Sequence, residues 1–413
     1  MAELAYYGDD VTGSVDVLLQ FARRGLSGRL FIGVPDRADL LHAARSVDVV
    51  GIAGIARSLA TADLDAEVRP ALEALRDTRA GIVQYKACST VDSSPQIGSL
   101  GRVLEIGREV FGQAPTPVLF AQPDFGRYTA FGHHFAAEGG TVHRLDRQPT
   151  MSTHPSTPID ESDIALLLGR QTPLPIASVP FTGYASSAVL ASSIDGSDAA
   201  AVILDALDDS HLALIGDALV SSPAAGPRFV LGSGGLSRAV ALAVPAVERA
   251  GASAAASGGP VLVVSGSRSP ASSRQAHAAR EAGWLVGPLA FDGTDAAVQD
   301  ALASGRSVVL TADDADLPAG VEPLTAIARA SALAASTALR AGLTRRVIVC
   351  GGDTSSRVVR LLGIHSLSIA SHLGGNVVVL RAGADDPAID GVELLLKGGQ
   401  VGDDDLFERV RLA

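Results

Sequence analysis

The sequence predicts an α/β protein of two domains, each built on a largely parallel sheet flanked by helices, with the active site in the cleft between them. Three observations lead there. Short apolar runs alternate with helix-periodic segments along most of the chain, which is the pattern of successive βα units. Polar, glycine-rich turns follow the ends of several of these runs, where open α/β sheets bind their ligands. A chain of 413 residues also exceeds the usual size of one hydrophobic core.

Leu4-Ala5-Tyr6-Tyr7 reads as a buried strand and Val15 to Ala22 as a helix, so Gly8-Asp9-Asp10-Val11-Thr12-Gly13-Ser14 forms the turn between them. Thr12 or Ser14 is expected to cap the helix, and Gly8 and Gly13 let the backbone turn tightly beside a ligand. Two adjacent carboxylates repel each other unless a metal, a cation or a hydroxyl-rich ligand compensates them. Asp9 and Asp10 are therefore candidate catalytic residues, with a solvated acidic cap as the plainer alternative.

Leu30 to Val34 and Val47 to Ala53 continue the strand series, with a helix through His42 between them. Arg57 follows the third strand, placed to hold a carboxylate by two parallel hydrogen bonds. The strand Gly81 to Lys86 opens into a long polar loop, residues 87–102, which is costly to order unless it binds something. Lys86, Asp92 and Ser93 are its candidate binding residues. After the strand Pro117 to Ala121, the loop Gln122 to Tyr128 adds a further acid, Asp124, and an arginine, Arg127, to the same rim. His133, His134 and His154 lack the spacing of a zinc site, since adjacent histidines point in different directions.

Val202 to Ala206 is a later strand of this first part, and Ser221-Ser222-Pro223-Ala224-Ala225-Gly226-Pro227 has linker composition. The expected domains are accordingly residues 1–222 and 228–413. Four strand ends are then expected in the second domain. Arg228 to Leu231 leads into Gly232-Ser233-Gly234-Gly235, and Val261 to Val264 into Ser265-Gly266-Ser267. Arg346 to Cys350 leads into Gly351-Gly352-Asp353-Thr354-Ser355, and Val392 to Lys397 into Gly398-Gly399-Gln400-Val401-Gly402. Small loops at strand ends that open helices present backbone N–H groups to an anion, so a phosphate-binding rim for a nucleotide is expected there. Neither a Walker lysine motif nor a Gly-x-Gly-x-x-Gly run is present.

An apolar fraction of 47% and a charged fraction of 19% describe a well-folded globular protein. A net charge of -12 and a pI near 5.2 argue against general affinity for nucleic acid or an anionic membrane. Cys88 and Cys350 are too few and too far apart for a disulfide framework or a thiolate metal site. With no basic and apolar leader and no uninterrupted apolar run of spanning length, the expected location is the cytoplasm.

Asp9-Asp10-Val11-Thr12-Gly13, Ser265-Gly266-Ser267, Gly351-Gly352-Asp353-Thr354-Ser355 and Lys397-Gly398-Gly399-Gln400-Val401-Gly402, in that order, resemble the four-carbon acid sugar kinase family over nearly the whole chain. The resemblance implies an amino-terminal sugar-acid-binding domain and a carboxy-terminal nucleotide-binding domain. It also implies transfer of the ATP γ-phosphate to a hydroxyl of a small aldonate or oxo-aldonate, such as threonate, erythronate, 3-oxo-tetronate or 3-oxo-isoapionate. Many relatives carry a compact Lys-x-Asp-Ser-Thr-x-Arg-Gly run. Here Lys86 is separated from Asp92-Ser93-Ser94 and arginine follows only at Arg102, which looks like a divergent subgroup.

The chemistry of phosphoryl transfer suits these residues. Asp9 and Asp10 are expected to orient the substrate hydroxyl and accept its proton, with Asp10 the better placed. Arg57, Lys86, Asp92 and Ser93 are expected to bind the sugar acid. Ser265, Ser267, Gly351, Gly352, Asp353, Thr354 and Gly399 are expected to bind ATP, with Mg2+ bridging the phosphates and held through water by Asp353. A nucleotide-dependent ligase, a dehydrogenase and a non-catalytic sugar-acid sensor are the rival readings. No nucleic acid or membrane partner is expected, and a homo-oligomer is compatible with the reading.

Overall fold

The computed structural model describes residues 2–221, 226–247, 258–291, 296–313 and 320–413. The chain divides into two compact units, Met1–Glu248 and Arg249–Ala413. The first runs β1 (Leu4–Gly8), α1 (Val11–Ala22), β2 (Gly28–Ile32), α2 (Arg37–Ser46), β3 (Val49–Ala53), α3 (Leu64–Asp77), β4 (Ile82–Lys86), α4 (Leu100–Phe111) and β5 (Thr116–Leu119). It continues through β6 (Arg127–Ala130), β7 (His133–Glu138), β8 (Thr141–Arg144), α5 (Pro149–Ser152), α6 (Ile164–Gly169), β9 (Ile176–Val179), α7 (Ser187–Asp195), β10 (Ala201–Leu204), α8 (Asp209–Ser221), β11 (Arg228–Gly232) and α9 (Gly234–Ala243).

Eight of these strands pair in parallel in the order β2-β3-β1-β4-β11-β5-β10-β9. Every residue of β1, β3 and β4 is buried. That is why β1 and β3 read as continuous apolar runs rather than alternating ones, whereas β4 also buries Gln84 and Lys86. Tyr7, Leu72, Tyr85, Leu104, Phe120 and Leu231 belong to one core cluster, and burying each such side chain contributes roughly 1.5–3 kcal/mol. The antiparallel set β6-β7-β8 forms a separate small sheet that the βα pattern did not predict.

The expected division at Ser221 to Pro227 is corrected by strand pairing. β11 lies between β4 and β5 in the first sheet, with Gly232 opposite both Lys86 and Leu119. The proline- and glycine-rich stretch, of which residues 222–225 lie outside the described part, precedes a strand of the first unit. Gly232-Ser233-Gly234-Gly235 consequently belongs to the first unit and not to the nucleotide rim.

The second unit runs β12 (Val261–Ser265), α10 (Pro270–Glu281), β13 (Leu285–Pro288), α11 (Ala296–Ala303), β14 (Val308–Thr311), α12 (Pro323–Arg340), β15 (Arg346–Cys350), α13 (Gly352–Leu361), β16 (Ile364–His372), β17 (Val378–Ala384), β18 (Glu393–Lys397) and α14 (Leu406–Leu412). Its strands follow the order β13-β14-β12-β15-β18-β17-β16. The first five pair in parallel, and β17 and β16 continue antiparallel. Ser265, Cys350 and Lys397, the last residues of β12, β15 and β18, stand in one register row. Among the described residues, no helix is long and apolar enough to cross a membrane.

Candidate active site

At the carboxyl end of β1, the turn predicted from the sequence places Asp9 in the interior and Asp10 at the start of α1. Asp9 is 2% exposed. Asp10 caps the helix, its Oδ1 accepting the Gly13 backbone N–H at 2.6 Å. The cap expected of Thr12 or Ser14 is thereby corrected. Asp10 has the extended backbone of an N-cap, whereas the Ser14 hydroxyl donates back to the Asp10 carbonyl. Gly8 is required by close approach, because a Cβ there would lie 1.8 Å from Ser14 Oγ.

Arg57 comes from the short 3-10 turn Ala56–Ser58 that follows β3. Its Nε and Nη2 donate to Asp9 Oδ2 and Oδ1 at 3.1 and 2.7 Å, and its Nη1 lies 2.8 Å from Asp10 Oδ2. The two parallel hydrogen bonds expected of Arg57 do form, but to the protein's own Asp9. Burial pushes the Asp9 carboxyl up from its ordinary value, opposed by the Arg57 guanidinium beside it. Burial favours proton loss from Arg57, and the Asp10 and Asp9 carboxylates overcome it to hold the guanidinium protonated.

Lys86 ends β4 in register with Gly8. Its ammonium donates to the Ala87 carbonyl at 3.0 Å and lies 3.9 Å from Asp16 Oδ2. A Cβ built on Gly13 would meet Asp10 Oδ1 at 2.5 Å, Arg57 Nη2 at 3.3 Å and Lys86 Nζ at 3.5 Å. The three predicted groups therefore converge on a position that only a glycine leaves open.

Asp16 was not among the predicted site residues. It receives Gln20 Nε2 at 2.8 Å and Gln122 Nε2 at 3.0 Å. It also abuts the start of α9, where a Cβ on Gly234 would fall 1.9 Å from its Oδ2. The available signal was a lone acid inside the apolar run Val15-Asp16-Val17-Leu18-Leu19.

Asp92 and Ser93 face other partners. Asp92 accepts the Thr157 hydroxyl and lies 3.9 Å from His154 Nδ1. Ser93 is buried, donates to the Val91 carbonyl at 3.1 Å and accepts from Gln171 at 3.0 Å. Among the described residues, no hydrogen bond or ion pair joins either to the Arg57 cluster. Asp124 pairs with Arg23 at 2.5 Å. Arg127 Nη1 donates to the Phe125 and Ala137 carbonyls at 2.7 and 3.2 Å, while its buried Nε has no acceptor among the described residues.

His134 is held inside the fold. His134 is fully buried, with Nε2 2.8 Å from the Ser89 carbonyl and Nδ1 2.9 Å from Thr129 Oγ1. A carbonyl can only accept, so Nε2 carries the proton and Nδ1 receives the threonine hydroxyl. Burial pushes its pKa down to about 4. Among the described residues, no group of three His, Cys, Asp or Glu side chains is arranged to hold a metal ion.

In the second unit the three remaining small loops meet. Gly351 N donates to the Lys397 carbonyl at 2.9 Å, and Gly266 N to the Cys350 carbonyl at 3.0 Å. Ser269 Oγ donates to the Gly399 carbonyl at 2.5 Å. The approach is close enough that a Cβ on Gly399 would lie 2.6 Å from Ser267 Oγ, and one on Gly266 would lie 2.4 Å from Thr354 Oγ1. Gly351 has φ 111°, outside the range of ordinary side-chain-bearing residues, and supplies no side-chain cap to α13. Asp353 is exposed in the first turn of that helix. Magnesium is usually held by one or two carboxylates together with the nucleotide phosphates, so this single acid fits such an ion without a preformed cage.

The geometry agrees with the family comparisons. Residues 4–240 match a family described as a sugar-binding N-terminal domain, and residues 262–407 one described as a nucleotide-binding C-terminal domain. The chain is 35% identical to a 3-oxo-isoapionate kinase of Paraburkholderia graminis, covering 99% of this chain and 94% of that protein. It is 30% identical to a 3-oxo-tetronate kinase of Pseudomonas fluorescens, covering 98% and 96%. A crystal structure of a Haemophilus influenzae protein shares the fold, with 22% identity, a TM-score of 0.78 and coverage of 98% and 99%. The chain belongs to the four-carbon acid sugar kinase family and is a sugar-acid kinase.

Proposed function

We propose that the protein transfers the γ-phosphoryl group of ATP, with Mg2+, to a hydroxyl of a small oxo-aldonate. A branched acid of the 3-oxo-isoapionate type is the first substrate to test, because the relative named for it shares 35% identity against 30% for the 3-oxo-tetronate kinase. The observation that carries the reading is the Asp9-Arg57-Asp10 clamp with Lys86 beside it, at the strand ends of the unit matched as sugar-binding.

Asp9 is held on both oxygens by Arg57, and its side chain is 3% exposed against 25% for Asp10. Asp10 is therefore the carboxylate that a substrate hydroxyl reaches, and it takes the proton while Asp9 fixes the guanidinium. Arg57 and Lys86 supply positive charge for the substrate carboxylate, with Asp92 and Ser93 ordering the loop after β4. ATP is assigned to Ser265, Ser267, Gly351, Gly352, Asp353, Thr354 and Gly399. Mg2+ near Asp353 would neutralise phosphate charge during transfer.

The test is a panel of four- and five-carbon sugar acids, linear and branched, incubated with ATP and Mg2+ and read by ADP release and product mass. A phosphate ester of one acid is the expected product. An acyl phosphate would indicate a ligase-type reaction, and failure of every acid to yield ADP would overturn the assignment.

A further inference from the structure

Lys397 ends β18 beneath the three converging loops and is 1% exposed. Its side chain shares a register row with Cys350 and Ser265. Its ammonium donates to Ser272 Oγ, in the first turn of α10, at 3.2 Å. Among the described residues no carboxylate lies within ion-pair distance of it. Cys350 is no counter-ion, since burial pushes its thiol up to about 11. A buried ammonium without an anion is costly to desolvate, and burial lowers the Lys397 pKa accordingly.

The surroundings have the donor set of an anion site. Directly above, Gly351 donates its N–H to the Lys397 carbonyl and opens α13 with no side-chain cap. Gly352, Asp353 and Thr354 are the first residues of this ten-residue helix, so their N–H groups have no partner within it. A ligand with several negative charges would satisfy these donors and compensate the ammonium together.

We propose that Lys397 is the buried counter-charge for the nucleotide's phosphates, a binding residue additional to the strand-end loops. The inference rests on the assignment of ATP to this unit. It makes the lysine a cost to the free protein that nucleotide binding repays, which distinguishes it from a lysine kept for folding.

Lys397→Met removes the charge and keeps the apolar stem. Its thermal midpoint, measured on the full-length protein without ligand, is expected to equal or exceed that of the unaltered protein. The stabilisation given by ADP should be lost, the KM for ATP should rise roughly a hundredfold, and the KM for the sugar acid should stay unchanged. Adenosine, which carries no phosphate, should bind both proteins alike. Lys397→Gln, retaining a hydrogen-bond donor without the charge, should behave the same way and serves if the methionine variant does not fold.

A lower midpoint in both variants with full ADP stabilisation would overturn the proposal. Absence of any ADP or ATP effect on the unaltered protein would instead remove the nucleotide assignment on which it stands.

Discussion

Arg57 grips Asp9 side-on, its Nε and Nη2 reaching the two carboxylate oxygens at 3.1 and 2.7 Å, on a carboxylate whose side chain is 3% exposed. The third nitrogen reaches Asp10 at 2.8 Å. This sharing answers the electrostatic problem posed by two adjacent acids at the end of a buried strand. One guanidinium bonds both carboxylates and offsets part of their repulsion, with Lys86 adding a second positive charge near Asp9, and the planar fork of Arg57 leaves Asp10 on the accessible side.

Removing the guanidinium should therefore damage folding as well as turnover. Arg57→Ala leaves Asp9 buried without its partner, a loss of about 3–5 kcal/mol. Adding Asp9→Asn to that variant should recover much of the lost stability, because the amide carries no charge to compensate. Denaturant midpoints of the two single variants and the double variant measure this coupling. Strict additivity would show that the pair does not act as a unit.

Asp10→Asn separates chemistry from architecture. Asparagine caps a helix about as well as aspartate, so the Gly13 contact and the stability should be preserved. Loss of a general base should lower turnover by about 10²–10⁴-fold with little change in the KM for ATP. Wild-type turnover at saturating substrate in both Asp10→Asn and Asp9→Asn would reduce the acids to a structural cap.

The βα alternation was legible because buried strands of a parallel sheet are apolar over most of their length, as β1 and β3 are, while β4 carries Gln84 and Lys86 among its apolar residues. The Asp9-Asp10 turn was legible because helix onset and strand end bracket it. Insertion of β11 between β4 and β5 was not, since strand order leaves no mark on local composition. The same blindness misplaced Gly232-Ser233-Gly234-Gly235. Asp16 was missed because Lys86 and Gln122 reach it only through the fold, while Gln20, one helical turn away, gave no sign of a site by itself.

Gly399 offers a local test of the second unit. A methyl group there would lie 2.6 Å from Ser267 Oγ and 3.0 Å from Ser269 Oγ. Gly399→Ala must push the loop off the start of α10 and is expected to raise the KM for ATP at least tenfold, without altering the KM for the sugar acid. Equal changes in both constants, measured by steady-state kinetics at saturating co-substrate, would argue against nucleotide contact at this loop.

His134 gives the protein an acid sensitivity whose sign follows from its burial. The folded imidazole has its pKa pushed down to about 4, whereas in the unfolded chain it protonates near 6.5. Above roughly pH 6.5 both states hold it neutral and the folded state keeps its full stability. As pH falls below that value the unfolded chain gains a proton that the folded chain does not, so stability declines until about pH 4. The interval of roughly 2.5 pH units corresponds to about 3 kcal/mol. His134→Gln keeps an amide donor for the Ser89 carbonyl and has no proton to gain. Denaturant midpoints between pH 7.5 and 4 should fall less steeply in this variant than in the unaltered protein, and parallel curves would show that His134 does not carry the linkage.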